Sequence, residues 1–505
     1  MNVALLREQA IEALQGGDVQ RAIERLREAT RLQPDNADLY HELAECHWAA
    51  YEFDRALHTY RDAAHCGAAS PIDSCTLAAK KLFGLARFGE AAEWMEQAVA
   101  CAPHDAALLT MLGEVYERGN QLADAERRAN EALSLAPQNV RAIRLMAHIE
   151  RRHGRFDDAR RRLANHLTRF SGPEDWRLRY ELAAILDRMG EYDAAMQELF
   201  KAKEPLRPQA VPCLAQARAI RQRQLEVARL LNRADFEAWH ATKPTGSRAV
   251  SIAFLCGHPR SGTTLLEQIL DAHDGAVSTD ETGVLVREFI DPIVRQPGSV
   301  AESVRELRGL DVDQIAGGRA AYLRFTEAHL GEGVGPRLLI DKDPSLTPDL
   351  PLPLRLFPEA RVIFPLRDPR DVCLSYFFTL IPLAASSAAA LDLRSTCEFS
   401  AHSLDLWAHW KKTLPYPLME VRYETLVASP EREIRRLTEF LDLAWTEQLL
   451  VFHERSQTKG IRTPTYADAS QPIHQRAVGR WKNYERYLAP HMDILRPFLH
   501  QFGYE

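Results

Sequence analysis

The chain reads as an all-α repeat solenoid followed by an α/β domain whose parallel sheet is covered by helices. Three observations predict this. An alanine recurs every 34 or 35 residues through the first 205 positions. From about residue 249, apolar runs of strand length alternate with helical patterns, the mark of a parallel sheet. Two of those runs lead directly into a basic loop that opens a helix.

The repeat comes first. Ala22, Ala56, Ala91, Ala125, Ala159 and Ala194 are spaced by 34, 35, 34, 34 and 35 residues. Each follows a short turn such as Gly17-Asp18 or Gly190-Glu-Tyr-Asp193, and Pro34, Pro103 and Pro137 stand twelve residues after their alanines. A helix-turn-helix unit needs a small residue where its two helices approach, and a proline stops the second helix. This pattern resembles the tetratricopeptide repeat. About six units are expected over residues 1–205, the second stretched at Gly67-Ala-Ala-Ser-Pro71 and the first acting as a cap. Such an array either holds a peptide or partner protein on its concave face or scaffolds the enzyme. Residues 206–247 are expected to form one or two capping helices and a linker, Lys243-Pro-Thr-Gly-Ser247, before the α/β domain at 248–505.

Composition narrows the class. A chain of 505 residues is too long for one core. A net charge of −7 directs it neither to nucleic acid nor to an acidic membrane. The eight cysteines show no metal or CxxC spacing and read as core residues of a reduced compartment. No apolar leader begins the sequence and no apolar run reaches 18 residues, so a cytoplasmic chain is expected.

In the second half, strands are expected at Val250–Leu255, Gly275–Thr279, Arg337–Ile340, Arg361–Leu366 and Leu418–Arg422. Ligands of such sheets bind beyond the carboxyl ends of the strands. Four charged residues, Arg260, Glu281, Lys342 and Arg367, fall just past strand ends. The first strand runs into Gly257-His-Pro-Arg-Ser-Gly-Thr-Thr264 and then into an amphipathic helix. That is P-loop-like: free N–H groups and the helix dipole face an anion. Thr263 stands where a triphosphate-binding loop carries lysine, which favours a single 5′-phosphate bearing one extra group over ATP or GTP. The second basic stretch, Arg367-Asp-Pro-Arg-Asp371, places Ser375 two turns along a helix, so arginine and hydroxyl can clamp one phosphate.

A PRSGTT loop followed by RDPRD and a serine resembles the sulfotransferases that use 3′-phosphoadenosine-5′-phosphosulfate, most closely the tyrosylprotein branch and bacterial members with N-terminal tetratricopeptide repeats. Further likenesses are Asp341-Lys-Asp-Pro344, Val421-Arg-Tyr-Glu-Thr-Leu-Val427 and Val478-Gly-Arg-Trp481. The resemblance implies that Arg260, Ser261, Gly262, Thr263 and Thr264 hold the 5′-phosphosulfate. It implies that Arg367, Ser375 and Arg480 hold the 3′-phosphate, with Tyr423 either near the nucleotide or simply a core aromatic. Glu281 matches the catalytic base, Lys342 a lysine on the transferring sulfonate, and Thr465 a hydroxyl beside it. The tyrosylprotein branch carries arginine two residues past the base; here Gly283 stands there, which counts against an acidic tyrosine peptide.

The chemistry asks for a base near the acceptor hydroxyl and for cations around the departing bisphosphate. Glu281 fills the first role, with Asp280 able to share it; Arg260 and Lys342 fill the second. The acceptor is a phenol, a peptide tyrosine, a sugar hydroxyl or another alcohol, and the scheme calls for no metal. His258 could contact phosphate or satisfy a backbone carbonyl, while His402 and His409 read as packing. Pro382–Ala390 is either a mobile lid or a plain surface segment. The alternative function is a nucleotide-sensing or scaffolding protein that binds a partner on the array and does not turn over.

Overall fold

The protein is described here from a computed structural model covering residues 2–66, 71–241, 250–295, 298–380, 382–456, 462–463, 466–469 and 471–505. The chain divides into two compact units that part between Phe170 and Ser171, with Arg462 also counted in the first.

The first unit is a succession of antiparallel helix pairs, from Val3–Gln15 with Val19–Leu32 to Val140–Arg152 with Phe156–Arg169. One backbone position repeats in every turn. Gly17, Tyr51, Ala86, Asn120 and Gly154 all take positive φ, as does Gly190 in the last pair. Each closes the first helix of its pair in the left-handed conformation. Only three of the six are glycine, so the turn is not legible from glycine alone. Ala22, Ala56, Ala91, Ala125 and Ala159 are fully buried, each the fourth residue of its helix. The last unit differs from expectation: its helix starts at Tyr192, the buried alanine is Ala195, and Ala194 is only partly covered. The stretched turn expected at Gly67–Pro71 lies mostly outside the described residues, as does the linker Lys243–Ser247.

The helix pair Asp175–Arg188 and Tyr192–Lys203 belongs to the second unit, although its sequence continues the repeat. The packing explains it. Met196, Leu199 and Ala202 share a core with Leu374, Phe377 and Tyr484. Lys203, fully buried, donates to the carbonyls of Phe377 (2.8 Å) and Ala390 (2.6 Å) and to the Tyr180 hydroxyl (3.0 Å). Burial pushes its ammonium well below the usual lysine range. The helices Arg207–Leu230 and Arg233–Ala241 follow.

The sheet has five strands: β1 Ile252–Leu255, β2 Ala276–Ser278, β3 Leu338–Lys342, β4 Arg361–Leu366 and β5 Leu418–Arg422. Their order is β2-β3-β1-β4-β5 and every pairing is parallel. One face is covered by Leu266, Ile269, Ile434 and Leu437 from two helices. The other is covered by aromatics, with Trp407 stacked on Phe364 at 4.2 Å. After β1 the chain moves toward β2, and after β4 toward β5, so the switch in direction falls between β1 and β4. The two basic loops leave from those two strands.

The expected lid segment Pro382–Ala390 divides in two. Ala388, Ala389 and Ala390 are buried, packed against Ala210 and Tyr376, and are not free to move as a lid. The Tyr376 hydroxyl donates to the Ser386 carbonyl at 2.7 Å. Pro382, Ala384 and Ser386 stay exposed.

Candidate functional site

The loop after β1 is built around three left-handed positions, Gly257 (φ 145°), Arg260 (φ 78°) and Gly262 (φ 107°). Alternating backbone sense of this kind turns successive N–H groups toward one point and forms an anion nest. Gly257 is pinned from below, donating to the Thr347 hydroxyl while that hydroxyl donates back to its carbonyl, both at 2.8 Å. Gly262 caps the helix Thr263–Asp271 without any side-chain cap bond, so the first helical N–H groups face the loop. Both glycines are obligatory by contact as well. A Cβ at 262 would lie 2.8 Å from the Tyr423 ring, and one at 257 would lie 3.0 Å from the Ser261 hydroxyl. Ser261 is buried and its hydroxyl has no partner among the described residues. An orphaned hydroxyl beside bare N–H groups suits an anionic oxygen.

The two arginines meet. Arg367, leaving β4, donates from Nη1 to the Arg260 carbonyl (2.9 Å) and from Nη2 to the Ala477 carbonyl (2.6 Å). Its guanidinium lies 4.7 Å from the Tyr423 ring centre. Arg260 donates from Nε to the Ser375 hydroxyl at 2.9 Å. Ser375 of the second loop's helix thus meets the arginine of the first loop, and the two loops interlock. Among the described residues neither guanidinium has a carboxylate within ion-pair distance. Burial, with help from Arg367 and Arg480, lowers Arg260 to about 10, so it stays charged at neutral pH.

Across the rim, Asp280 and Glu281 take φ of 48° and 57° in succession and turn the chain after β2. The Glu281 N–H donates to the Lys342 carbonyl at 3.2 Å, holding this turn against the end of β3. Lys342 is fully buried, not solvent-facing, and its Nζ lies 2.5 Å from Glu281 Oε1, 3.2 Å from Glu267 Oε2 and 3.9 Å from Asp280 Oδ1. Those carboxylates outweigh the burial cost and raise Lys342, while burial raises Glu267 to about 7. The Glu281 side chain keeps 32% of its surface exposed, so a second molecule can reach it.

Comparison with known proteins adds the chemistry. The sulfotransferase family matches residues 253–447, and a tetratricopeptide-repeat family matches 7–71, 76–140 and 144–211. The chain is 30% identical over 258 residues to a putative protein-tyrosine sulfotransferase of Caenorhabditis briggsae, covering 50% of this chain and 89% of that one. It belongs to the sulfotransferase family. This sulfotransferase is also 26% identical over 268 residues to protein-tyrosine sulfotransferase A of Caenorhabditis elegans, covering 51% and 68%. An uncharacterized protein of Aquifex aeolicus is 28% identical over 324 residues, 63% of this chain but only 41% of that longer one. Among solved structures, the sulfotransferase domain of the Synechococcus PCC 7002 olefin synthase is similar over 48% of this chain and 90% of its own, at 20% identity and TM-score 0.32.

The remaining expected residues of this sulfotransferase fall as follows. Thr263 and Thr264 are buried at the helix start, Thr264 donating to the Thr463 hydroxyl at 3.3 Å. Thr465 lies outside the described residues. Tyr423 lies across Gly262 and beside Arg367, so its ring belongs to the loop as well as to the core. Arg480 is the departure. Its Nη2 and Nε lie 2.9 and 3.1 Å from Asp187 Oδ1, and its guanidinium lies 4.4 Å from the Phe378 ring centre. Its charge is already matched by a carboxylate of the last repeat pair. His258 donates from Nδ1 to the Pro259 carbonyl (2.6 Å), and burial lowers it to about 4, so it adds no cation to the loop. His402 pairs with Gln224 at 2.9 Å and His409 packs on Trp410, as read.

Sequence reasoning missed three supporting acids. Asp371 accepts from the N–H groups of Gly479 and Trp481, both at 2.7 Å, and so ties the C-terminal Gly-Arg-Trp turn to the second anion loop. Asp187 lies 293 residues from its partner, beyond any local signal. Glu267 sits one turn beyond Thr263 on the loop helix, a spacing that places it on the same face and beneath the site.

Proposed function

We propose that this sulfotransferase takes 3′-phosphoadenosine-5′-phosphosulfate as donor and a hydroxyl compound, phenol, peptide tyrosine or alcohol, as acceptor. The donor supplies an electrophilic sulfonate on a bisphosphate leaving group. The observation that carries this reading is the interlocked, carboxylate-free pair Arg260 and Arg367 at the switch between β1 and β4. A buried Arg367 beside a half-buried Arg260, both without acids among the described residues, is costly unless an anion completes them. Two separate anion loops fit a nucleotide phosphorylated at both ends.

On this reading Arg260, Ser261, Gly262, Thr263 and Thr264 cradle the 5′ end, with Arg367, Ser375, Tyr423 and Arg480 around the 3′-phosphate. Glu281 removes the acceptor proton as its oxygen attacks sulfur in line, and the leaving oxygen departs toward Arg260. Thr465 serves the sulfonyl oxygens, and Lys342, buried beneath Glu281, acts on them through its charge. Arg287 bends back over Gly283, its Nη1 donating to the Thr282 carbonyl at 2.9 Å, and returns a cation near the glycine that replaces the family arginine. Peptide tyrosine therefore stays among the acceptors.

The test is transfer of label from donor to a panel of phenols, alcohols and tyrosine peptides, beside calorimetry with adenosine 3′,5′-bisphosphate. Glu281→Gln is expected to bind the bisphosphate normally and to lose about 10²–10⁴ in kcat. Binding without transfer in the wild type would favour a nucleotide sensor; no binding would end the proposal.

A further inference from the structure

Glu267 is a carboxylate with no exposed surface, on the helix that opens from the anion loop. Among the described residues its single cation within 4 Å is Lys342, at 3.2 Å, and its other oxygen accepts from the Ser278 hydroxyl. Lys342 is equally inaccessible and also pairs with the partly exposed Glu281 at 2.5 Å. One ammonium is thus shared by a buried carboxylate and a carboxylate that an acceptor can reach.

That arrangement answers a chemical difficulty in the proposed mechanism, on which this inference rests. A carboxylate that alone neutralised a buried ammonium would resist protonation, because taking the acceptor's proton would leave the ammonium bare in a low-dielectric site. We propose that Glu267 is a positioning residue that gives Lys342 a second counter-ion, freeing Glu281 to take a proton during transfer. As Glu281 becomes neutral, Lys342 keeps the Glu267 partner and its place beneath the site. The groups facing this trio are Asp280, 3.9 Å from Lys342, the Ser278 hydroxyl on Glu267, Asp343, which burial and then the charge of Glu281 push upward, and Arg260, whose guanidinium feels the charge of Glu281. Beyond Lys342 itself, Arg260 is the cation among them. Burial raises the Glu267 carboxyl, and the Lys342 ammonium opposes that rise.

The experiment compares wild type, Glu267→Gln and Glu267→Asp in the full chain, using labelled donor, a simple phenol and adenosine 3′,5′-bisphosphate. Glu267→Gln keeps shape and removes charge. It should lower kcat at least about tenfold and move the acid limb of the kcat/KM profile to lower pH by about half a unit. Bisphosphate affinity should stay within about twofold, since no group on the arginine side changes. Glu267→Asp should restore the wild-type limb. A Glu267→Gln enzyme with reduced kcat but an unmoved limb would mean packing alone, and the proposal would be wrong. If wild type transfers to no phenol, the transferase reading suffers separately. Infrared titration then decides, with Glu281→Gln marking the Glu281 carboxyl band: displacement of that band in Glu267→Gln supports the proposal, and an unmoved band overturns it.

Discussion

Replacing Arg367 with lysine separates charge from geometry at the anion site. Lysine preserves the positive charge but offers one nitrogen where arginine places two. In the native structure Nη1 and Nη2 reach the carbonyls of Arg260 and Ala477 at 2.9 and 2.6 Å, and the guanidinium plane lies over Tyr423. A lysine can satisfy one carbonyl at most and cannot stack. Hydrogen bonds carrying charge contribute about 1.5–3 kcal/mol each, and a cation over an aromatic ring about 0.5–2 kcal/mol. Losing one bond and the stack, with partial relaxation, should cost about 2–3 kcal/mol, some of it borne by the fold and the rest by the ligand. Titration calorimetry with adenosine 3′,5′-bisphosphate should therefore show affinity falling about ten- to hundredfold. The exposed Arg394→Lys serves as control and should change nothing. If Arg367→Lys binds within twofold of wild type, charge alone suffices and the fork argument is refuted.

Three further outcomes follow from local geometry. Gly262→Ala meets both a left-handed φ and the Tyr423 ring at 2.8 Å, so bisphosphate binding should fall tenfold or more, and Tyr423→Ala in the same chain should restore only the steric part. Asp341 is fully buried beneath Tyr322, whose hydroxyl donates to it at 2.5 Å, and burial raises it to about 7. A carboxyl raised on folding binds more protons when native, so stability falls as pH rises from about 4 to 7; Asp341→Asn should raise Tm at pH 8, by a cost on the order of 4 kcal/mol removed, and lose that advantage at pH 4. In the last repeat pair, Ala195→Leu should destabilise by about 1–3 kcal/mol in urea unfolding, while Ala194→Leu should be nearly neutral.

The sheet was readable because its strands are short apolar runs that end in charge. Arg361–Leu366 and Leu418–Arg422 match the observed strands residue for residue, while β1 and β2 are shorter than expected and β3 extends to Lys342. Lys342 looks exposed in sequence, flanked by Asp341 and Asp343, yet its backbone lies inside the ladder and its side chain beneath the rim. The repeat is legible through its alanines, but the last interval, Ala159 to Ala195, is one residue longer than the 34–35-residue period, which therefore points to Ala194. Only the turn at Gly190 and the helix start at Tyr192 decide the register. The bond from Arg260 to Ser375 joins the two loops across 115 residues, a pairing no local spacing reveals. Pairings such as Arg480 with Asp187 join parts of the chain that no local pattern relates.

The charge balance of the rim divides into two halves with different chemistry. On the β1–β4 side, Arg260 and Arg367 are held by neutral oxygens, from Ser375, Ala477 and the loop backbone. Neighbouring cations are not left that way: Arg370 pairs with Asp368, Arg480 with Asp187 and Arg295 with Asp349. On the β2–β3 side the excess is reversed, with three carboxylates on Lys342. A site for binding an anion tightly needs uncompensated cations; a site for receiving a proton needs surplus carboxylate charge. An acceptor hydroxyl approaching Glu281 and a bisphosphate approaching Arg260 and Arg367 would each meet the half suited to it. The sulfonate, passed from one to the other, would cross the boundary where Lys342 stands.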